Sequence, residues 1–379
     1  MITLLRDILP FDLFKQMLDE GYIRSQVHPL YPELVIFNYT EAAQFDRVWN
    51  AATNVCRGLI VVLQGPNHDL SADCVVLARP FNKFHNLNTE YVPETLEVNL
   101  PNETPLVTTK LDGSMGILYE WDGQVWVATR GSFDSDQARW ATEWVRKHYA
   151  ADGGYHWAHR CEHPDKTMVF EIIYDQNRIV VDYDFEGLVA LGLVNIATGL
   201  EVERAALEAV AHRNGFKVVK KFDKTLAECA AEDNPNEEGY VLTYSNGVKV
   251  KVKFAEYVRL HRVLTGLNPK AIWEMLSQNS GAAVDAILND PKMPATFLEW
   301  FAGWVKQLRS KYTEIEVVSK AVFEARPKEG SRKDLALFFK QTPQYCSVLF
   351  AMLDGKDYAP IIWDRIKPKG NDTFKKDGE

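Results

Sequence analysis

Two kinds of hydrophobic spacing divide this chain. In the first two thirds, short β-rich runs close on turn dipeptides. Gly116-Ile117-Leu118-Tyr119-Glu120-Trp121 meets Asp122-Gly123 and continues as Gln124-Val125-Trp126-Val127-Ala128-Thr129. Tyr240 to Tyr244 meets Asn246-Gly247 and continues from Val248 to Phe254. Asp-Gly and Asn-Gly between such runs predict hairpins with type I′ turns, because both central residues need positive φ. Short helices fit between the strands, with helical spacing over Ala138 to Tyr149 and Val202 to Arg213. After Phe254 the spacing becomes helical, over Tyr257 to Leu264, Lys270 to Gln278, Ala282 to Leu288, Ala295 to Glu324, Lys333 to Phe339 and Tyr345 to Leu353. Pro291, Pro294, Pro327, Gly330 and Pro343 punctuate these segments. The predicted class is α+β: a strongly antiparallel domain over residues 1–255, then an all-α domain over 256–379 whose tail, from Lys367, is polar.

The bulk numbers narrow this picture a little. A chain of 379 residues is long for one core, so two domains are expected. Hydrophobic content of 46% and charged content of 25% describe an ordinary soluble globular protein. Arg6, Asp7, Asp12 and Lys15 interrupt the apolar residues near the start, which excludes the core of a signal peptide. No apolar run is long enough for a membrane span, so a cytoplasmic protein with no membrane partner is expected. Five scattered cysteines fit free thiols in a reducing compartment. The net charge of −9 argues against non-specific coating of nucleic acid, but leaves room for a local basic groove.

Chemistry enters at Lys110-Leu111-Asp112-Gly113-Ser114, between the β-rich runs Pro105 to Thr109 and Met115 to Trp121. A lysine at such a junction, followed by Asp-Gly, can present its amine to a nucleotide phosphate. The attacking amine must be uncharged, and nearby cations would lower its pKa from ~10.4. Val250-Lys251-Val252-Lys253 offers two such cations on one face of a strand. The surroundings are therefore expected to keep the Lys110 amine neutral. Glu171, inside the apolar run Met168 to Tyr174, and Glu238, before Gly239-Tyr240-Val241, are candidate carboxylates for a divalent metal. Arg57 and Lys83 are candidate contacts for leaving phosphates. Each has a plainer reading in isolation: a solvated strand edge for the lysine pair, core ion pairs for the glutamates, surface cations with aromatic packing for Arg57 and Lys83. His156-Trp157-Ala158-His159-Arg160-Cys161-Glu162-His163 looks zinc-like, but it has no second ligand pair elsewhere, so a surface loop is the favoured reading. No phosphate-loop motif occurs, which disfavours a P-loop ATPase.

Taken in order, these pieces resemble a known family. They are Arg57-Gly58, Arg79-Pro80 with Lys83-Phe84, Lys110-x-Asp112-Gly113-Ser114, Arg130-Gly131-Ser132, Phe170-Glu171 with Asn177-Arg178-Ile179-Val180, Glu238-Gly239-Tyr240-Val241 and Lys251-x-Lys253. The set resembles the ATP-dependent polynucleotide ligase superfamily and, within it, the bacteriophage tRNA-repair RNA ligases of the RNA ligase 1 type. Ile36-Phe37-Asn38-Tyr39 and Tyr257-Val258-x-Leu260-His261 belong to the same resemblance.

The resemblance implies an antiparallel-sheet nucleotidyltransferase (adenylyltransferase) domain of ATP-grasp-like ligase fold, then a helical domain associated with tRNA preference. Lys110 would take AMP from ATP and pass it to an RNA 5′-phosphate, and a 3′-hydroxyl would then displace it. Tyr39, Arg57, Lys83 and Arg130 would contact the nucleotide and its phosphates, although a lysine is familiar where Arg130 stands. Glu171 and Glu238 would hold nucleotide and Mg²⁺ or Mn²⁺, directly or through water. Lys251 and Lys253 would hold the α-phosphate. Asp112, Gly113, Asn177, Arg178 and Tyr257 would support them.

The implied partners are RNA ends, single-stranded or in nicked tRNA, and an end-healing kinase-phosphatase. The enzyme would act as a monomer in the cytoplasm, including that of a phage-infected host. An ATP-dependent DNA ligase or a capping guanylyltransferase shares the lysine motif, but resembles enzymes with a β-barrel after the lysine pair. A non-catalytic RNA-end sensor would keep the pocket without turnover. In the helical part, Arg309-Ser310-Lys311 and Lys367, Lys369, Lys375 and Lys376 are candidate RNA contacts, set against the plainer reading of solvated surface.

Overall fold

A computed structural model of the chain describes residues 2–150, 164–234, 236–278, 281–370 and 373–374. The His156–His163 cluster and Lys375 and Lys376 lie outside the described residues. The chain divides into two compact units, Met1–Val258 and Arg259–Asp377.

Three sheets build the first unit, with strands numbered along the chain. β1 (Ile23–Val27), β2 (Leu34–Tyr39), β3 (Arg57–Val62) and β4 (Val75–Ala78) pair antiparallel in that order. β2 is buried at every position. Part of its cover is the helix Phe11–Asp19, whose Phe14 ring meets Phe37 edge-on at 5.0 Å.

The second sheet contains β7 (Ser114–Trp121), β8 (Gln124–Ala128), β9 (Lys166–Ile173), β10 (Gly187–Asn195) and β11 (Lys217–Val218), in the order β11-β10-β9-β7-β8. The helices Asp136–Ala150 and Arg204–Arg213 place Ala141, Val145, Leu207 and Val210 in a core with Phe170 and Ile172 of β9. The third sheet runs β12-β6-β13-β14-β5, with β5 (His85–Asn86), β6 (Leu106–Lys110), β12 (Lys221–Phe222), β13 (Gly239–Thr243) and β14 (Lys249–Lys253).

Two details depart from the sequence reading. The sheets are not purely antiparallel, since β11 runs parallel to β10 and β5 parallel to β14. The turn types also differ. Asp122 (φ 52°) and Gly123 (φ 68°) are both left-handed, as a type I′ turn requires. At the second hairpin only Gly247 is (φ 85°), and its N–H donates to the Tyr244 carbonyl across Ser245-Asn246 at 2.9 Å. That loop is one residue longer, a type I turn followed by a bulge glycine.

The chain crosses between the second and third sheets twice. Leu111-Asp112-Gly113 carries it from β6 to β7, and Val219-Lys220 from β11 to β12. The Val219 N–H donates to Ala190 at 2.9 Å, and the Lys220 carbonyl accepts from Thr109 at 3.0 Å. The crossings pin the two sheets together where β6 ends, and β6 ends on Lys110.

The second unit is helical in its described residues, with helices Pro269–Ser277, Gly281–Leu288, Ala295–Glu324, Arg332–Phe339, Cys346–Leu353 and Ala359–Arg365. Sequence spacing did not reveal the last, a short helix with proline in its first turn. Asn268 caps the first by accepting the Ala271 N–H at 2.8 Å, and Ser331 and Asp334 form a capping box on Arg332–Phe339. The 30-residue helix buries Phe297, Phe301, Val305 and Leu308, one stripe at helical spacing. Among the described residues, no helix is long and apolar enough to cross a membrane.

Candidate active site

Strand register sets the position of Lys110. Lys110 of β6 lies opposite Gly239 of β13, which lies opposite Lys253 of β14. One step along, Thr108, Val241 and Lys251 form the next row that faces the same way. On β14, Val250 and Val252 point into the core while Lys249, Lys251 and Lys253 share the opposite face. Gly239 makes the row possible. Its φ is +141°, and a Cβ there would stand 2.0 Å from the Val252 carbonyl oxygen.

Glu238 closes the row. Its side chain is 3% exposed, and one oxygen, Oε1, lies 2.6 Å from Lys110 Nζ and 2.9 Å from Lys253 Nζ. Burial raises the Glu238 pKa, but the two ammonium groups outweigh it and hold the carboxyl below its ordinary range. For Lys110, burial favours the neutral amine, yet Glu238, Glu171 and Asp112 outweigh burial and lift its pKa above the ordinary lysine value. This corrects the expectation that crowding cations keep Lys110 neutral. They do depress Lys251, whose pKa falls well below normal through burial and the fields of Lys110, Arg57, Lys83 and Lys253. The lattice of charges therefore clamps Lys110 as an ammonium.

Asp112 ties the lysine turn to distant segments. Its Oδ2 accepts the N–H groups of Val180 and Val181 at 2.8 and 2.9 Å. Its Oδ1 accepts the Tyr257 hydroxyl at 2.7 Å, and its own N–H donates to the Tyr183 oxygen at 2.7 Å. Gly113 lets β9 come close, since a Cβ there would meet the Ile172 carbonyl oxygen at 2.5 Å and the Glu171 side chain at 3.1 Å. Ser114 donates to Asn177 Oδ1 at 3.0 Å, and Asn177 donates to Ile172 at 2.9 Å.

Around Lys110 lies a cavity. Its cationic and acidic lining is Arg57, Arg130, Lys249, Lys251 and Glu171, and its apolar lining includes Leu111, Leu191, Val219 and Val241. Such a space suits a nucleotide, with apolar walls for a base and cations for phosphates. Desolvation pushes the Glu171 carboxyl up to about 8, in the same direction as the fields of Glu238 and Asp112 and against those of Lys110 and Arg57. A carboxylate so poorly compensated is a suitable donor for a hard divalent cation. Among the described residues no three or more His, Cys, Asp or Glu side chains cluster as a metal cage. Any cation here would take most of its ligands from phosphate oxygens and water.

A second cluster adjoins the cavity through Arg57 and Arg130. Arg130 Nη1 donates to the Tyr39 oxygen at 3.0 Å, and Lys83 Nζ lies 3.4 Å from the same atom. The Lys83 ammonium sits over the rings of Tyr39 and Trp49 at 4.8 and 4.6 Å. Burial raises the Tyr39 phenol pKa, but Arg130, Arg57 and Lys83 together bring it below normal. Arg57 packs over the Phe84 ring at 5.4 Å. A compact positive field thus surrounds one phenol.

Most of the sequence candidates meet here. Lys110, Gly113, Arg57, Arg130, Glu171 and Lys251 line one cavity; Glu238 and Lys253 touch Lys110 directly or through one carboxylate. Tyr39 and Lys83 form the adjoining cluster, and Asp112 with Tyr257 the clamp. Asn177 and Arg178 border a smaller space with Asp112 and Tyr183, and Arg178 pairs with Asp182 at 2.9 Å. Three participants were missed. Lys249 lies 4.0 Å over the Phe81 ring, paired with Glu201, and the alternation from Lys249 to Lys253 was its signal. Trp49 and Tyr183 had no sequence signal.

The RNA ligase family model matches residues 55–257, just over half of the chain. The chain belongs to the RNA ligase family. A candidate RNA ligase from Thermovibrio ammonificans is 29% identical over 201 residues, and the match covers 51% of each chain, so this chain spans about half the length of that relative. The RNA ligase of Rhodothermus phage RM378 is 24% identical over 394 residues, covering 86% of each. Among solved structures, an archaeal ATP-dependent RNA ligase is 15% identical, with 93% of this chain and 98% of that one covered at a TM-score of 0.48. A mutant Naegleria gruberi RNA ligase with ATP and Mn is 17% identical, with 69% and 86% covered and a TM-score of 0.38.

Proposed function

We propose that this chain is an ATP-dependent RNA ligase that joins 5′-phosphate and 3′-hydroxyl RNA ends. The single observation that carries the reading is the row Lys110–Gly239–Lys253, bridged by the Glu238 carboxylate at the edge of a cavity lined by cations and apolar walls. In this reading residues 1–255 form a nucleotidyltransferase domain of ATP-grasp-like ligase fold, and residues 256–379 a helical domain that contributes RNA preference.

Lys110 Nζ first releases a proton to water, then forms a bond to the α-phosphorus of ATP and loses a second proton as the α–β bridging bond breaks and diphosphate leaves with the electron pair. An RNA 5′-phosphate oxygen then displaces Nζ from phosphorus to give an RNA-adenylate. The 3′-hydroxyl displaces AMP and seals the strand. Lys251 and Lys253 supply positive charge at the α-phosphate, and Arg57, Lys83, Arg130 and Tyr39 at the leaving side. Asp112 and Tyr257 fix the lysine turn. Glu171, with Glu238 through water, would hold Mg²⁺ or Mn²⁺, which would neutralise charge on the transferring phosphates. The natural ends would be those of broken RNA, nicked tRNA included, prepared by an end-healing kinase-phosphatase, in a cell cytoplasm that a phage has entered.

Incubation with ATP labelled at the α-phosphate should attach the label to Lys110 in a hydroxylamine-sensitive bond, and Lys110→Ala should remove it. Labelling by GTP in place of ATP would favour a capping enzyme, and sealing of nicked DNA in preference to RNA a DNA ligase.

A further inference from the structure

Charge is unevenly shared along the chain. Up to Val258 there are 24 Lys and Arg against 37 Asp and Glu, a formal −13; from Arg259 onward there are 19 against 15, a formal +4. Within that positive unit, one groove collects cations and indole rings. It is lined by Trp300, Trp304 and Lys311 of the long helix, by Arg365 at the end of the last helix and by Lys367 and Lys369 beyond it. Among the described residues no Asp or Glu lines it. Trp300, Trp304, Gln307 and Lys311 follow at steps of four, three and four residues, so they form one stripe on the helix surface.

The two indoles differ. Trp300 is already covered by Phe374, at 5.4 Å between ring centroids. Trp304 is half-buried, and no ring stacks on it among the described residues. The four cations are exposed. A half-exposed indole beside exposed cations matches an unpaired nucleic-acid strand, whose bases stack on aromatic faces while its phosphates meet Lys and Arg. A paired helix would hide its base faces and leave no face for an indole to stack on, offering phosphates, 2′-hydroxyls and base edges instead.

We propose that this groove binds an unpaired stretch of the RNA substrate, with Trp304 as the base-stacking platform and Lys311, Arg365, Lys367 and Lys369 on the phosphates. The proposal rests on the RNA-joining reading above. It goes further by giving the helical unit its own single-strand site, one that leaves lysine adenylylation untouched.

The test uses the full-length protein and a fluorescein-labelled unpaired RNA of roughly 12 nucleotides. Trp304→Ala should weaken binding about tenfold, and Trp304→Phe should restore most of the loss. The double variant Lys311→Glu with Lys367→Glu should weaken binding and flatten its salt dependence by roughly 0.7 logarithmic units for each phosphate no longer neutralised. Both variants should adenylylate Lys110 like the parent. Parent-like RNA affinity in both overturns the proposal. So does equal weakening by Trp304→Ala toward a fully paired RNA, or altered self-association with unchanged RNA affinity. If Trp304→Ala does not fold, the exposed charge reversals carry the test alone. Absence of adenylylation in the parent protein would instead overturn the ligase reading, and the RNA-affinity measurement needs no ATP, so the two failures are distinguishable.

Discussion

Between Met1 and Val258 the chain buries His28, Arg79, Asp112 and Glu238, each 5% exposed or less; beyond it, among the described residues, the buried polar side chain is the hydroxyl of Ser319. The helical unit follows ordinary packing, with Phe297, Phe301, Val305 and Leu308 on one stripe and charge at the surface. The sheet unit keeps charges out of water, which costs several kcal/mol for each ion unless a partner and hydrogen bonds offset it. Arg79 finds its offset in the Ile196 and Ala197 carbonyls, at 3.0 and 2.9 Å, while the buried carboxylates find theirs around one lysine. Glu238 pairs with both Lys110 and Lys253, Asp112 accepts three hydrogen bonds, and Glu171 is left only partly compensated. A buried carboxylate network tied to one amine is shaped by chemistry; an apolar stripe with charge outside is shaped by folding.

Substitutions can sharpen or break that contrast. The largest expected effect is Lys110→Ala, which should abolish the α-labelled adduct while leaving the fold intact. Glu238→Gln should follow, with adenylylation lowered on the order of 10²-fold because the preorganised charge that positions Lys110 is lost. It should also shift the pH profile. Carboxylates raise the Lys110 pKa in the parent. The neutral amine is then scarce at pH 7, and the adenylylation rate should climb roughly tenfold per pH unit on the acid side of its optimum. Removing the Glu238 charge should move that limb to lower pH; an unmoved limb would show that Lys110 ionisation does not limit the step.

Asp112→Asn keeps size but, with its one oxygen on Val180 and Val181, must donate to the Tyr257 hydroxyl instead of accepting from it, so the charge assistance of all three bonds is lost. The displaced lysine should adenylylate roughly 10²-fold more slowly or less. Phe301→Ala tests the other unit. It should cost about 3–5 kcal/mol of stability through the cavity it leaves, measured by denaturant unfolding. Adduct formed per folded molecule should not change, and a fall in it would break the contrast by giving the helical core a part in adenylylation.

The smallest effect is on Glu171. Its folded pKa of about 8 lies above the ~4.3 of an unfolded glutamate. As pH rises, the unfolded chain ionises first, so the penalty on the folded state begins above the unfolded value and is complete past the folded one. Glu171→Gln should therefore raise Tm near pH 9, by about 2–4 °C for each kcal/mol relieved, and leave it unchanged below pH 4. Equal gains at both pH values would mean that packing, not charge, is responsible.

Local chemistry made several elements legible. The Asp122-Gly123 turn, the 30-residue helix from Ala295 to Glu324 and the lysine turn with its following Asp-Gly all act within a few residues of themselves. Asn246-Gly247 shows the limit. The dipeptide predicted a turn there, but the loop length that selects its type depends on strand register. Trp49 gave no signal because its role is to flank an ammonium 34 positions away.

By itself the sequence determined where strands and helices form, which residue types are available for phosphate chemistry, and in which order they occur. These follow from side-chain periodicity, turn preference and charge, all properties of neighbouring residues. Tertiary structure alone decided that Lys110 meets Glu238 across 128 positions, that Asp112 reaches Val180 and Tyr257, and that the lysine is held charged while Lys251 is depressed. The physical reason is that a pKa is set by the balance of lost hydration against charges within a few ångströms. That distance is measured through space, where the crossing of two sheets sets it.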